Sequence, residues 1–178
     1  MPDESKIFGH EYAPGITAGD DIFTVMSSDI FRGSAFALGY VNPDNLRGMN
    51  IWSDMYKVIR KANLMLARMD ECQDMTALDR RNYTGYIHFL RGYAYYHILM
   101  TCGPAILVGD EIFESNLEGP AYNTYRATYD ETVEYICSEL ETAAAYLPLK
   151  ASIAQFERPT KGAAYALIAR LRLHAASP

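Results

Sequence analysis

The chain has 178 residues, of which 49% are hydrophobic and 21% charged, with a formal net charge of −6 at pH 7. A chain of roughly 150 residues buries about 70% of its unfolded surface, so one domain with a real core is expected, and the composition excludes disordered, collagenous and coiled-coil classes. The negative balance argues against nucleic-acid binding, which needs Lys and Arg to neutralise phosphates, and no run of about 18 apolar residues exists to span a bilayer. The start, Met1-Pro2-Asp3-Glu4, lacks the basic and apolar regions of a signal peptide, so the chain as given reads as soluble. Cys72, Cys102 and Cys137 have neither CxxC nor metal-ligand spacing, and an odd count closes no disulfide framework. All three are expected as buried free thiols.

From Met1 to about Asn45 there is no sustained periodicity, and Gly, Pro, Asp and Asn recur. Residues 1–45 are therefore expected as an irregular N-terminal segment, and 46–178 as a helical domain. Tyr12, Phe23, Phe31, Phe36 and Tyr40 make the segment too aromatic for a disordered tail.

A first helix is predicted from about Arg47 to Met69, where Trp52, Tyr56, Ile59, Asn63 and Leu66 recur at spacings of four and three. A second stripe of Met55, Val58, Ala62, Met65 and Met69 widens the apolar arc and predicts an inner helix with several neighbours. The next helix begins near Thr76, which forms with Asp79 a weaker variant of the capping box, and runs to Thr101 before Gly103-Pro104. Tyr86, Leu90, Tyr93 and His97 share one side of it, while Gly92 and Ala94 permit close approach of a neighbouring backbone.

Ala105 to Val108 is a short apolar run, expected as an extended segment crossing the helices, and an acidic irregular stretch follows to Gly119. A third helix starts at Thr128 with a full capping box to Glu131, turns Val133, Ile136, Leu140, Ala143, Ala144 and Leu147 inward, and stops at Pro148. A fourth is capped by Thr160 and runs through Ala163, Ala164, Leu167, Ile168 and Leu171. The expected fold is all-α, with tetratricopeptide-like helical hairpins and long irregular loops. The strict 34-residue repeat of that class is not visible.

Four segments, in this order, resemble the SusD/RagB family of outer-membrane nutrient-binding lipoproteins. The first is Trp52-x-x-x-Tyr56-x-x-Ile59-x-x-Ala62-Asn63, and the second is Phe89-Leu90-Arg91-Gly92-Tyr93-Ala94-Tyr95-Tyr96 leading to Cys102-Gly103-Pro104-Ala105-Ile106. The third runs from Tyr125-Arg126-Ala127-Thr128-Tyr129-Asp130 through Glu139-Leu140 to Leu147-Pro148, and the fourth is Arg158-Pro159-Thr160-Lys161-Gly162-Ala163-Ala164-Tyr165-Ala166-Leu167. The match departs from the family where Tyr86 to His88 replace its usual acidic residue, and where Glu139-Leu140 replaces Asp-Leu.

The resemblance implies the N-terminal helical portion of a SusD-like α-α fold. It also implies non-catalytic binding of an oligosaccharide or other nutrient at the surface of a Bacteroidota outer membrane, for delivery to a SusC-like TonB-dependent transporter. Family members continue for several hundred residues and carry a signal sequence and a lipidated cysteine, so this chain is expected to be a fragment that binds glycan weakly or not at all by itself. The rival expectations are a helical-repeat protein-protein adaptor and a binder of peptide nutrients. A peptide groove would want polar and basic side chains on inner helix faces, and these faces read as apolar.

Residue by residue, structural roles lead for Trp52, which opens the apolar stripe, for Asn63, an amide suited to satisfying loop backbone, and for Arg91, suited to pairing with Glu139 or Glu141. Ligand contact is assigned to the loop residues Phe36, Tyr40, Asn42, Asp44 and Asn45, because sugars want ring faces for their C–H surface and amides or carboxylates for their hydroxyls. Asp110, Glu111, Glu114 and Glu118 do not match a calcium loop, and the sequon at Asn82 falls inside a predicted helix. No GxSxG, HExxH or phosphate loop is present, and His88 and His97 lie nine apart on one helix, on opposite sides. No enzyme, metal or cofactor is expected.

Overall fold

The computed structural model describes residues 39, 42, 44, 51–113, 124–151 and 156–177. Packing contacts divide the chain into two units, Met1–Asp54 and Met55–Pro178. The division falls inside the first helix, whereas the boundary expected near residue 45 lies outside the described residues.

The fold is all-α. Helix α1 spans Trp52–Arg68 and passes through a 3-10 turn, Met69–Glu71, to α2 at Ala77–Cys102; α3 spans Tyr129–Tyr146 and α4 spans Lys161–Ala175. Three starts are set by threonines in extended conformation whose hydroxyls accept a free backbone donor. Thr76 Oγ1 accepts from the Asp79 N–H at 3.1 Å and donates to the Asp79 carboxylate at 2.6 Å. Thr128 and Glu131 make the reciprocal box: the Glu131 N–H donates to Thr128 Oγ1 at 3.2 Å, and the Thr128 N–H donates to Glu131 Oε2 at 2.7 Å. Thr160 accepts from the Ala163 N–H at 3.4 Å. Helix α2 stops at Gly103, whose φ of 78° and ψ of −158° lie in a region essentially open only to glycine.

Neighbouring helices are antiparallel. Ala62 on α1 and Met69 just after it meet Ile87 on α2, with Leu66, Met75 and Tyr83 packed around them, and the Tyr56 and Tyr95 rings meet edge to face at 6.3 Å. Helices α2 and α3 approach closely because two glycines of α2 face α3. A Cβ on Gly92 would stand 3.0 Å from Leu140 Cγ, and one on Gly85 would stand 3.1 Å from the Leu147 backbone nitrogen. Helices α3 and α4 are joined by the Lys161 N–H to Pro148 carbonyl bond at 3.0 Å, and further along by the Arg172–Glu134 ion pair.

Two expectations change. The inner helix of the described set is α2, not α1: buried positions occur on several sides of α2, while α1 buries the stripe Met55, Ile59, Ala62 and Asn63 and leaves Met65 exposed. The cysteines also differ. Cys137 is buried in the α3 interface, Cys102 is half-buried and Cys72 is exposed, because Cys72 sits where the chain reverses at the surface between α1 and α2.

Candidate functional site

Beyond Gly103 the chain runs back across α1 and α2 as an extended strap, and side chains of those helices hold its backbone. The Tyr56 hydroxyl accepts from the Ile106 N–H at 2.8 Å and donates to the Ile106 carbonyl at 2.9 Å. The Tyr95 hydroxyl accepts from the Val108 N–H at 3.1 Å, and Thr132 Oγ1 accepts from the Ala105 N–H at 3.3 Å. Burial pushes the Tyr56 hydroxyl up to about 12, against the backbone hydrogen bond from Ile106, so it stays a neutral donor and acceptor. An extended segment with no ladder partner otherwise leaves buried backbone groups unpaired, and these hydroxyls satisfy them.

Asn63 and Arg91 meet behind the strap. The Asn63 amide donates to the Gly109 carbonyl at 2.9 Å and the Glu111 carbonyl at 2.8 Å, and its oxygen accepts from Arg91 Nη1 at 2.9 Å. Arg91 also grips Glu139 on α3 with two parallel bonds, Nε to Oε2 and Nη2 to Oε1, each 2.7 Å. Its Nη1 reaches Asp110 at 2.5 Å. His88 Nδ1 lies 2.9 Å from Glu139 Oε2. Of the two carboxylates considered for Arg91, Glu139 is the partner; Glu141 is exposed.

The electrostatics follow from this geometry. Burial by itself raises the Glu139 carboxyl, but hydrogen bonds from His88 and Arg91 and the guanidinium charge outweigh it and hold the group below the usual carboxylate range. Burial likewise disfavours the Arg91 cation, and Glu139 and Asp110 more than offset it. The polar groups of the cluster are largely spent on one another, and among the described residues no group of His, Cys, Asp and Glu could hold a metal ion. It clamps strap to helices.

Of the five loop residues assigned to ligand contact, the structure describes two. Asn42 and Asp44 are exposed, and the Asp44 N–H donates to Asn42 Oδ1 at 3.0 Å. Phe36, Tyr40 and Asn45 lie outside the described residues. Trp52 is half-buried at the start of α1. Of the acidic stretch, Asp110 is committed to Arg91, and Glu114 and Glu118 lie outside the described residues.

One feature escaped the sequence reading. An open groove of about 540 Å³ lies between the first turns of α2 and the end of α3, lined by Ala77, Arg80, Arg81, Thr84, Ala145 and Tyr146. The adjacent Arg80-Arg81 pair is the signal that could have marked it. Helix α3 has no basic residue in its last turn, and Arg81 of α2 supplies one, its Nη2 lying 3.5 Å from the Ala145 carbonyl.

Comparison with known proteins follows the same outline. Residues 20–173 match the family model of SusD-like proteins described as "Starch-binding associating with outer membrane". Among solved structures, a SusD-like protein from Bacteroides fragilis is 26% identical with a TM-score of 0.70, covering 83% of this chain and 27% of its own length. A laminarin-binding SusD-like protein is 23% identical with a TM-score of 0.68, covering 83% of this chain and 31% of its own. Surface glycan-binding protein A from Bacteroides uniformis is 24% identical with a TM-score of 0.58, covering 70% of this chain and 27% of its own. The chain thus spans about a third or less of these proteins. No curated protein matches. With the family model matched over most of its length and the helical stack shared with these structures, the chain belongs to the SusD-like family.

Proposed function

We propose that this chain is the scaffold part of a non-catalytic surface protein that captures an oligosaccharide and delivers it to a SusC-like TonB-dependent transporter in the outer membrane. The observation that carries the reading is the family match over residues 20–173, whose description joins starch binding to the outer membrane. Two proteins sharing the fold, one a laminarin-binding SusD-like protein and the other a surface glycan-binding protein, support a glycan as cargo. The clamp at Arg91 and the hydroxyl-held strap support a scaffold, since their polar groups are spent on one another and leave little to offer a ligand.

Sugar contact on this chain falls to the loop of Phe36, Tyr40, Asn42, Asp44 and Asn45, whose rings, amides and carboxylate suit C–H faces and hydroxyls. No helix among the described residues is long and apolar enough to cross a membrane. Attachment to the outer membrane is assigned to a lipid anchor by resemblance to the family. Calorimetric titration of the full-length protein with starch-type and laminarin-type oligosaccharides, and with peptides of similar length, tests the reading. Heat with at least one oligosaccharide is expected; binding of peptides alone would overturn it. Delivery is tested separately, by whether the protein co-purifies with a TonB-dependent transporter from outer membranes.

A further inference from the structure

The groove at the start of α2 differs in character from the clamp. Its lining contains two arginines and no carboxylate, in a chain of net charge −6. Arg80 is neutralised by an ion pair with Asp70, whereas among the described residues Arg81 has no carboxylate partner and makes only the long 3.5 Å contact to the Ala145 carbonyl. Beside it stands Tyr146, 40% exposed, an aromatic surface that the helix packing leaves uncovered. Ala77 and Ala145 add only methyl groups to the lining.

We propose that this groove is a secondary subsite for a carboxylate-bearing sugar unit, a uronic acid within an oligosaccharide. The Tyr146 ring takes the apolar C–H face of the sugar, and the planar Arg81 fork takes the carboxylate, a pairing worth more than a neutral hydrogen bond. The open shape makes it a weak, auxiliary site that adds avidity and a preference for acidic chains. This inference rests on the glycan-binding reading and narrows it to a class of cargo.

The test is titration of the full-length protein with oligogalacturonate and with a neutral glucose oligomer of equal length, for the wild type and for Arg81→Gln and Tyr146→Ala. Oligogalacturonate is expected to bind more tightly than the neutral oligomer, to weaken about tenfold in Arg81→Gln, and to weaken as salt is raised. Neutral binding should not change in that variant. If Arg81→Gln fails to fold for want of its helix-end contact, Tyr146→Ala reads the same site, and unchanged oligogalacturonate affinity there overturns the proposal. It also fails if acidic and neutral oligomers bind alike, or if polyglutamate competes for the groove and oligogalacturonate does not. Binding of neutral oligomers in those cases leaves the glycan reading standing, whereas no binding of any sugar removes both.

Discussion

Arg91 on α2 and Glu139 on α3 face each other through two parallel 2.7 Å hydrogen bonds, with side chains only 3% and 8% exposed. Taking both charges out of water costs several kcal/mol per ion, and the bidentate geometry, with Asn63, His88 and Asp110 around it, offsets that cost. The pair joins two helices and, through Asn63 and Asp110, the strap. Removing one partner is therefore unlike removing both.

Arg91→Ala leaves Glu139 buried with only His88, and a loss of about 3–5 kcal/mol in unfolding free energy is expected. The double variant Arg91→Leu with Glu139→Leu should recover much of it, because no charge is then stranded. Urea denaturation reads both, and a single-variant loss under about 1 kcal/mol would show that the pair carries no such weight.

The same carboxylate makes stability depend on pH. The folded pKa of Glu139 is held below its unfolded value, so the unfolded state binds more protons at intermediate pH. Its contribution is fully present above the unfolded value, near pH 4, and is lost as pH falls through the lower folded value. The melting temperature of the wild type should drop across that acid window, and that of Glu139→Gln should drop less. Equal acid slopes for the two proteins would assign the effect to other carboxylates.

Gly92→Ala and Gly85→Ala test how tightly α2 and α3 meet. Alanine favours a helix over glycine by about 1 kcal/mol, but crowding a packed interface costs about 1–3 kcal/mol. At Gly85 the new Cβ would stand 3.1 Å from the Leu147 backbone nitrogen, which cannot rotate away. Both variants are expected to melt lower, Gly85→Ala the more so; a higher melting temperature for either would mean that the helices separate at little cost.

Asn63→Leu keeps the side chain's bulk and removes its donors to Gly109 and Glu111 and its acceptor for Arg91. Each buried group left unpaired costs about 1–3 kcal/mol. Hydrogen exchange at the Ile106 and Val108 amides should quicken as the strap loosens, while amides in the middle of α4, which contributes no side chain to the clamp, stay protected. Unchanged exchange at the strap would show that the tyrosine hydroxyls hold it unaided.

The helix plan was legible because its signals are local. Thr76, Thr128 and Thr160 mark starts, since a hydroxyl three residues from a free N–H needs nothing from the rest of the fold, and Gly103-Pro104 marks a stop by its own backbone limits. The apolar stripe of α3 likewise became its buried face, because one side of a helix must find cover. The order of those segments was also enough to point to the SusD-like family, which the family model bears out.

Only the tertiary structure decided which helix is central, which cysteine is buried, and which groups gather around Arg91. Periodicity says that a side chain turns inward but not what it meets there. Residues 63, 91, 110 and 139 lie far apart along the chain and converge only because α2 packs antiparallel on both its neighbours and the strap doubles back across them. The Arg81–Tyr146 groove arises in the same way, from two helix ends brought side by side that no local pattern connects.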